Sequence, residues 1–196
     1  MTILGIEEIS YGASDLATCE RFFLDWGLTR VHSDATRCVF ECLNGCRVIV
    51  ADPARCSLPT LIEAGPTLHE VVWGLASADE LAAVARRLQG QPGCVQGVFD
   101  GFERVGCTDP HGLAFKVQAS TRRAIKLASA RYPTWRQKDR IDQRAPAYAR
   151  ATPSEVGHVV FFVQDVLAGE RFYETLPGFD TSDRYPGRGS FLRCAP

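Results

Sequence analysis

Long apolar runs are missing from this 196-residue sequence. No stretch approaches the roughly 20 consecutive apolar residues that a membrane-spanning helix needs. The N-terminus MTILGIEEIS has no basic segment ahead of an apolar one, and so lacks the pattern of a secretory signal peptide. These absences predict a cytoplasmic globular protein that has no membrane partner.

An excess of either charge is also missing, because 22 basic residues oppose 23 acidic ones and the formal net charge is -1. Nothing in this balance attracts the whole chain to nucleic acid or to an anionic membrane, so any charged partner must be recognised by a local patch. With 45% hydrophobic residues, the chain can bury the core of one domain or slightly more.

Eight cysteines are present, but their spacings follow no disulfide framework, and most are interpreted as buried small apolar residues. Cys38, Cys42 and Cys46 are spaced like a metal cluster. They lie around Asn44-Gly45, a dipeptide typical of a two-residue turn between two strands. Ordinary strand packing is the preferred interpretation of these three thiols, with metal binding as the alternative.

An internal repeat at an offset of 150 residues is the main organising signal, since residues 8–23 align without a gap with residues 158–173. In both copies an apolar run is followed by an aspartate that can cap a helix, and aromatic residues stand near the helix end. The aligned pairs are Asp15 with Asp165, Glu20 with Glu170, Arg21 with Arg171, and Phe22 with Phe172. Each copy predicts a strand, a helix and then a strand.

A weaker third copy begins at Thr67 with a strand, the helix ADELAAVARRLQG and a closing hairpin that turns at Asp109-Pro110-His111-Gly112. Modules therefore begin near residues 3, 67 and 156. Each of the first two predicts one strand, one helix and three further strands. Neither sheet could cover its own apolar face, so two modules are expected to make one domain.

This pattern predicts a first domain over residues 1–118, a linker over 119–152, and the start of a second domain over 153–196. The linker is basic and contains Tyr132, Trp135 and Tyr148, which would suit a nucleic-acid patch. We favour a solvated crossover with a short helix around 121–131 and a few anchored residues, and expect no nucleic-acid partner. An acidic substrate or a partner subunit is the alternative, and a homo-oligomer is expected.

Together these features resemble the vicinal oxygen chelate superfamily, which includes glyoxalase I, the bleomycin-resistance proteins and the extradiol ring-cleaving dioxygenases. The resemblance rests on the paired modules, on Gly157-His158-Val159, on Arg171-Phe172-Tyr173 at a helix end, and on the closing turn at 109–112. It implies an α+β fold with tandem βαβββ modules paired into an open, strongly curved mixed sheet. Extradiol dioxygenases similarly have two domains, of which only the second holds metal, and here the second is incomplete.

The family's metal ligands come from the first strand of one module and from the first and last strands of its partner. In the first domain these places hold Glu8, Glu70 and Lys116, although His69 leaves a shift of one residue open. A lysine ammonium has only donors and cannot serve as a metal ligand. The carboxylates and the lysine are predicted to form an ion-paired substitute for metal, so the first domain is expected to be metal-free.

In the second domain the offset places His158 where the first domain has Glu8. The pattern alone favours a hydrogen-bonded core histidine, whereas the resemblance implies that His158 is a metal ligand. Adding the 150-residue offset to Glu70 and Lys116 gives positions near 220 and 266, beyond Pro196. The sequence would then be a fragment, which we prefer, or a neighbouring copy would complete the half-domain by exchanging modules.

The resemblance implies three candidate functions. The leading one is an extradiol dioxygenase of aromatic catabolism, which opens a catechol-type ring with O2 at Fe(II) held by two histidines and one carboxylate. A glyoxalase-like lyase or isomerase would instead use another divalent metal. A metal-free binding protein of the bleomycin-resistance kind would hold a ligand against Trp73, Phe102 or Phe162. No catalytic acid or base can be assigned.

Overall fold

The computed structural model describes residues 2–60, 64–126 and 150–194. The elements in chain order are β1 (Ile3–Gly12), α1 (Leu16–Asp25), β2 (Thr29–Ser33), β3 (Arg37–Glu41), β4 (Arg47–Ala51), β5 (Thr67–Leu75), α2 (Ala78–Leu88), β6 (Val95–Phe99), β7 (Phe102–Thr108), β8 (Ala114–Ala119), α3 (Val166–Thr175), β9 (Asp180–Tyr185) and β10 (Gly189–Arg193). A strand, a helix and three strands occur twice, as the first module (3–51) and the second module (67–119). Residues 153–194 form the third module.

Eight strands form one mixed sheet in the order β2-β3-β4-β1-β5-β8-β7-β6. In each of the first two modules the first strand lies parallel to the last, so β1 pairs with β4 and β5 pairs with β8. The two modules meet where β1 and β5 run antiparallel, with Ile9 opposite Val71. The predicted α+β fold of paired βαβββ modules in an open mixed sheet is thereby confirmed.

The two faces of this sheet differ because side chains alternate along each strand. The outer face packs an apolar core that includes Phe40, Val71 and Phe115. The inner face carries charged side chains. Arg37 of β3 and Asp100 of the β6–β7 turn form an ion pair at 2.9 Å. The sheet therefore curves until its two outer parts meet over the inner face.

The helices α1 and α3 begin at capping aspartates, as the repeat predicts. Asp15 Oδ1 accepts the N–H of Thr18 at 3.0 Å, and Asp165 Oδ1 accepts the N–H of Ala168 at 3.0 Å. Each cap satisfies a backbone donor that would otherwise lack a partner in the first helical turn. Across the described ranges, no helix is long and apolar enough to cross a membrane.

The β3–β4 hairpin turns through Leu43, Asn44 and Gly45, one residue more than predicted. Gly45 has a φ of 91°, a left-handed conformation that glycine adopts at little steric cost. Asn44 Oδ1 accepts the N–H of Cys46 at 2.9 Å, and the N–H of Cys42 donates to the carbonyl of Cys46 at 2.9 Å. The loop is therefore a three-residue hairpin loop closed by a glycine, and both flanking thiols are buried in the core.

The third module lacks the first strand that the repeat predicts, because residues 151–163 form neither helix nor strand. A strand needs neighbours to receive its backbone hydrogen bonds. In the first module these neighbours are β4 and β5, whereas the described part of the third module has only β9 and β10, which pair with each other in a separate sheet. The strand prediction is wrong for residues 156–163 in this structure.

The linker is described only at its two ends. Near the first end, Ser120 Oγ donates to Glu7 Oε1 at 2.7 Å, and Arg123 donates to Glu41 at 3.0 Å. These contacts anchor the linker on the sheet. Residues 121–126 are not helical, so the helix predicted around 121–131 does not begin there. Residues 127–149, including Tyr132, Trp135 and Tyr148, lie outside the described residues.

Candidate functional site

Glu8 lies on the inner face of β1, at the place where the resemblance puts the family's first metal ligand. The guanidinium of Arg104 donates to both of its carboxylate oxygens, at 2.9 Å and 3.0 Å, and Arg47 forms a second ion pair with it. Glu8 and Arg104 are each 1% exposed. A buried carboxylate needs such charge compensation, because leaving it alone in a low-dielectric interior would be very costly.

Glu70 and Lys116 form the other half of the same arrangement. Lys116 Nζ donates to Glu70 Oε2, and Arg104 lies 4.0 Å from Glu70 Oε1. Gln118 Oε1 accepts the N–H of Arg104 Nε at 2.9 Å. Gly106 makes room for the lysine, since a Cβ there would come within 2.5 Å of Lys116 Cγ. The ion-pair cluster therefore comprises Glu8, Glu70, Arg47, Arg104 and Lys116.

The β6–β7 hairpin covers the ion-pair cluster with two aromatic rings. Lys116 Nζ lies 4.3 Å from the centroid of Phe99, and the guanidinium of Arg47 lies 4.9 Å from that of Phe102. Between these rings, burial raises the pKa of Asp100, but its hydrogen bond with Arg37 and the nearby positive charge outweigh that effect and lower the pKa overall. The lowered pKa keeps the Asp100 carboxylate charged, and the two rings of the hairpin shield the ion-pair cluster from water.

His69 does not share the inner face with Glu70. Its Nδ1 lies 2.7 Å from the carbonyl oxygen of Pro59, whereas Glu70 contacts Lys116 and Arg104. Since consecutive side chains point to opposite sides of a strand, the shift of one residue that the sequence left open is excluded. Glu70, and not His69, therefore occupies the position on β5 where the resemblance puts the family's metal ligand.

The first domain's ligand place does not suit a metal ion. A guanidinium and an ammonium occupy the space around its two carboxylates, and neither can act as a ligand. The contact predicted between Glu70 and Lys116 is present. Sequence reasoning missed Arg47 and Arg104, the direct partners of Glu8. One signal pointed to them, because two buried carboxylates facing one lysine leave a charge that another strand must neutralise.

His158 lies in the unpaired segment of the third module and is exposed. Within the described residues, no hydrogen bond or ion pair involves its imidazole. Val159 and Phe161 pack against the core, whereas His158, Val160 and Phe162 alternate with them and face solvent. The side chains alternate as in a strand, and His158 is neither the buried core histidine that the pattern favoured nor part of a three-ligand cluster in the described ranges.

The third module is attached to the second by α3. Tyr173 is buried and donates its hydroxyl to Asp109 Oδ2 at 3.1 Å, while Asp109 Oδ1 accepts the backbone N–H of His111 and Leu113. Burial is the main cause that raises the pKa of Tyr173, followed by the charge of Asp109. Phe161 stacks on Tyr173 with ring centroids 6.3 Å apart. The predicted turn at 109–112 thereby fixes the helix and, through Phe161, the segment that carries His158.

The three aromatic residues considered as a binding surface lie in different environments. Trp73 is buried and packs edge-on against Phe179, with ring centroids 4.9 Å apart. Phe102 lies under Arg47 and Arg104. Phe162 alone of the three is freely accessible, at 87% exposure. Of the three rings, only that of Phe162 is open to a ligand in this structure.

Several solved structures are similar to this chain in fold. A Mn(II)-bound glyoxalase from Novosphingobium aromaticivorans matches 98% of this chain and 58% of its own, at 18% identity and a TM-score of 0.70. BphC, a halotolerant catechol dioxygenase, matches 98% and 62%, at 17% identity and a TM-score of 0.66. Homoprotocatechuate 2,3-dioxygenase from Arthrobacter globiformis matches 99% and 57%, at 17% identity and a TM-score of 0.65.

These TM-scores show that the chain shares the fold of the glyoxalase and of the two dioxygenases, as the sequence resemblance implied. The chain spans about three-fifths of the length of these three proteins. No family model matches the sequence, and no curated protein matches it.

Proposed function

We propose that this chain belongs to an extradiol-type dioxygenase that cleaves a catechol-type ring with O2 at Fe(II). The observation that carries the proposal is the contrast between two matching positions. Glu8 is neutralised by Arg104 and Arg47, whereas His158 offers an exposed imidazole without a protein partner in the described residues. A two-domain dioxygenase with a metal site only in its second domain requires this asymmetry.

The described residues supply one donor of the proposed site. His158 has the right chemistry, because a neutral imidazole is a common ligand of ferrous iron in sites with two histidines and one carboxylate. The other histidine and the carboxylate would have to come from outside these residues. Fe(II), when bound, supplies adjacent open positions for the two catechol oxygens and for O2.

The surface around His158 supports an aromatic substrate. Val160 and Phe162 are exposed beside it on the same side of the segment, at 72% and 87%. Such side chains can stack on a planar ring and exclude water from it. In this proposal, His158 positions the metal and Phe162 contributes to the wall of the substrate site.

The test uses the protein that the full reading frame encodes, loaded with Fe(II) under anaerobic conditions. We expect His158→Ala to lose bound iron and catechol-dependent oxygen uptake, with His32→Ala as the matched control. His32 is also exposed, but it lies on β2 and contacts Asp34. Unchanged iron content in His158→Ala would contradict the proposal, as would an equal loss in both variants.

A glyoxalase-like lyase is the second candidate, favoured by the structural match to the Mn(II)-bound glyoxalase. Turnover of a glutathione hemithioacetal with Mn(II), together with no oxygen uptake on catechols, would support it. If the metal-free protein bound aromatic compounds equally well, a binding function would be favoured instead.

Several broader expectations belong to the same proposal. They are the division at residues 118 and 152, a cytoplasmic location and a homo-oligomeric assembly. Light scattering on the purified protein tests the assembly, and limited proteolysis within 119–152 tests the division.

A further inference from the structure

Cys42 and Cys46 lie opposite each other where the β3–β4 hairpin closes. The ladder pairs Glu41 with Arg47, and the next pair towards the loop is Cys42 with Cys46, joined by a backbone hydrogen bond of 2.9 Å. Directly opposed residues in an antiparallel pair have Cα atoms about 4.5–5.5 Å apart. Disulfides span Cα separations of about 4.4–6.8 Å, so the backbone already provides the required spacing.

The two side chains also contact each other. The interaction between the two thiols lowers the pKa of Cys42 and raises that of Cys46. Both residues are free thiols and both are buried. Cys42 therefore loses its proton more readily than Cys46, which suits it to the attacking role in thiol–disulfide exchange, with Cys46 as the second thiol.

The start of the third module covers this hairpin. The backbone N–H groups of Leu43 and Asn44 donate to the carbonyls of Pro153 and Ser154, at 3.1 Å and 3.0 Å. The backbone N–H of Val156 lies near the Cys46 sulfur and opposes part of the rise in the pKa of that thiol. These contacts join the thiol pair to a segment that has no helix or strand structure of its own.

Glu155 fastens this covering segment from its other side. It forms an ion pair with Arg122 and accepts a hydrogen bond from Asn44 Nδ2 at 3.4 Å. The Glu155 side chain is 46% exposed, so this anchor is accessible to water and weaker than a buried pair. Opening of residues 151–157 would expose the thiols.

We propose that Cys42 and Cys46 are a redox-active dithiol which low-molecular-weight disulfides oxidise, and that docking of residues 151–157 controls the reaction. Cys42 thiolate attacks one sulfur of glutathione disulfide, which forms a mixed disulfide and releases one glutathione thiolate. Cys46 then loses its proton and attacks Cys42 Sγ, and the second glutathione leaves. The protein loses two protons and two electrons, and glutathione disulfide gains them as it becomes two molecules of glutathione.

The consequence is a redox link between the first domain and His158. Oxidation draws the Cys46 sulfur towards Cys42 and so changes what lies beneath Val156, two residues before His158. Reduction restores the original arrangement and favours the docked segment. The thiol reaction of Cys42 and Cys46 in the first domain requires no metal at His158.

The first test is mass spectrometry on the folded protein treated with glutathione disulfide, alkylated and digested with trypsin. Residues 38–47 form one tryptic peptide that contains Cys38, Cys42 and Cys46. We expect this peptide to take up one alkyl group instead of three and to contain one internal disulfide, which is two hydrogen atoms lighter than two free thiols. Cys42→Ser and Cys46→Ser should each abolish that change, whereas Cys38→Ser, the matched control within the same peptide, should keep it. A folded protein in which the peptide stays reduced, while the unfolded chain oxidises, would overturn the proposal.

The second test measures how docking controls the rate. Glu155→Gln removes the ion pair with Arg122 and should speed oxidation about two- to fivefold, the range expected for losing a solvent-accessible ion pair. Glu103→Gln, at an exposed position of β7, should leave the rate unchanged. Equal rates in the two variants would show that residues 151–157 do not control the thiols, and would overturn that half of the proposal.

Discussion

β1 and residues 156–163 occupy matching places in two modules, but β1 pairs with two strands, whereas residues 156–163 pair with no strand of the described residues. Both contain an apolar run and alternate their side chains between two sides, of which the second is buried in β1 and exposed in residues 156–163. The difference lies in the neighbours, since β4 and β5 receive the backbone hydrogen bonds of β1. A sequence pattern thus defines which side chains face inwards, while the neighbouring strands decide whether a sheet forms.

The helices of the same two modules show a second contrast. α1 and α3 have equivalent bounds and equivalent caps, but Phe22 of α1 is 58% exposed. Its counterpart Phe172 packs edge-on against Phe115 of the second module, with ring centroids 5.9 Å apart. Local sequence therefore sets where these helices begin and end, and the adjoining module sets which aromatic ring is buried.

The largest loss of stability is expected when the positive charge that compensates Glu8, and that His158 lacks, is removed. Arg104→Met leaves a carboxylate buried with only Arg47 beside it, and should lower the free energy of unfolding by about 3–5 kcal/mol. Chemical denaturation measures this change. Arg30→Met, which removes the exposed ion pair with Glu20, is the control and should cost less than about 1 kcal/mol. Similar losses in the two variants would contradict the buried role of Arg104.

A smaller loss of stability should distinguish α3 from α1. Phe172→Ala removes a ring that is partly buried against Phe115, and should cost about 2 kcal/mol, less than the 3–5 kcal/mol of a fully buried phenylalanine. Phe22→Ala changes the matching exposed ring and should cost less than about 1 kcal/mol. Thermal or chemical unfolding of both variants measures the difference. If the two costs were equal, α3 would not be docked as described.

The smallest effect concerns pH and the β9–β10 hairpin. Hydrogen bonds from Arg184 and Ser190 lower the pKa of Glu170 from its ordinary 4.5 to about 2. Because the folded state lowers this pKa, the stabilisation is complete above pH 4.5 and is lost as the pH falls towards 2. Hydrogen exchange of the β9–β10 amides should therefore become faster, relative to intrinsic rates, through this window. Glu170→Gln should abolish the pH dependence, and its persistence in the variant would assign it to another group.

Features set by local sequence were predicted well. Asp15 and Asp165 cap their helices, and Asp109 organises the turn at 109–112, because each aspartate bonds to backbone groups within four residues. The module order followed from the repeat. The Asn44-Gly45 dipeptide correctly located a hairpin, but the loop gained a third residue because Asn44 bonds to the N–H of Cys46.

Features set by distant residues were predicted less well. Arg104 is separated from Glu8 by 96 positions in the chain, and only the curvature of the sheet brings them together. The strand expected at residues 156–163 depends on partners that the repeat does not specify. The role of His158 remains a prediction, since its ligand assignment rests on the family resemblance and on the exposure of its side chain.

The hydrogen bond between Tyr173 and Asp109 has a consequence for biosynthesis. Its two residues are 64 positions apart, and the turn that presents Asp109 is complete once the second module has been synthesised. Domains generally fold as units while the ribosome extends the chain, beginning with the N-terminal one. The eight-stranded sheet is then a finished template when α3 emerges, and the helix can dock onto it without waiting for any later segment.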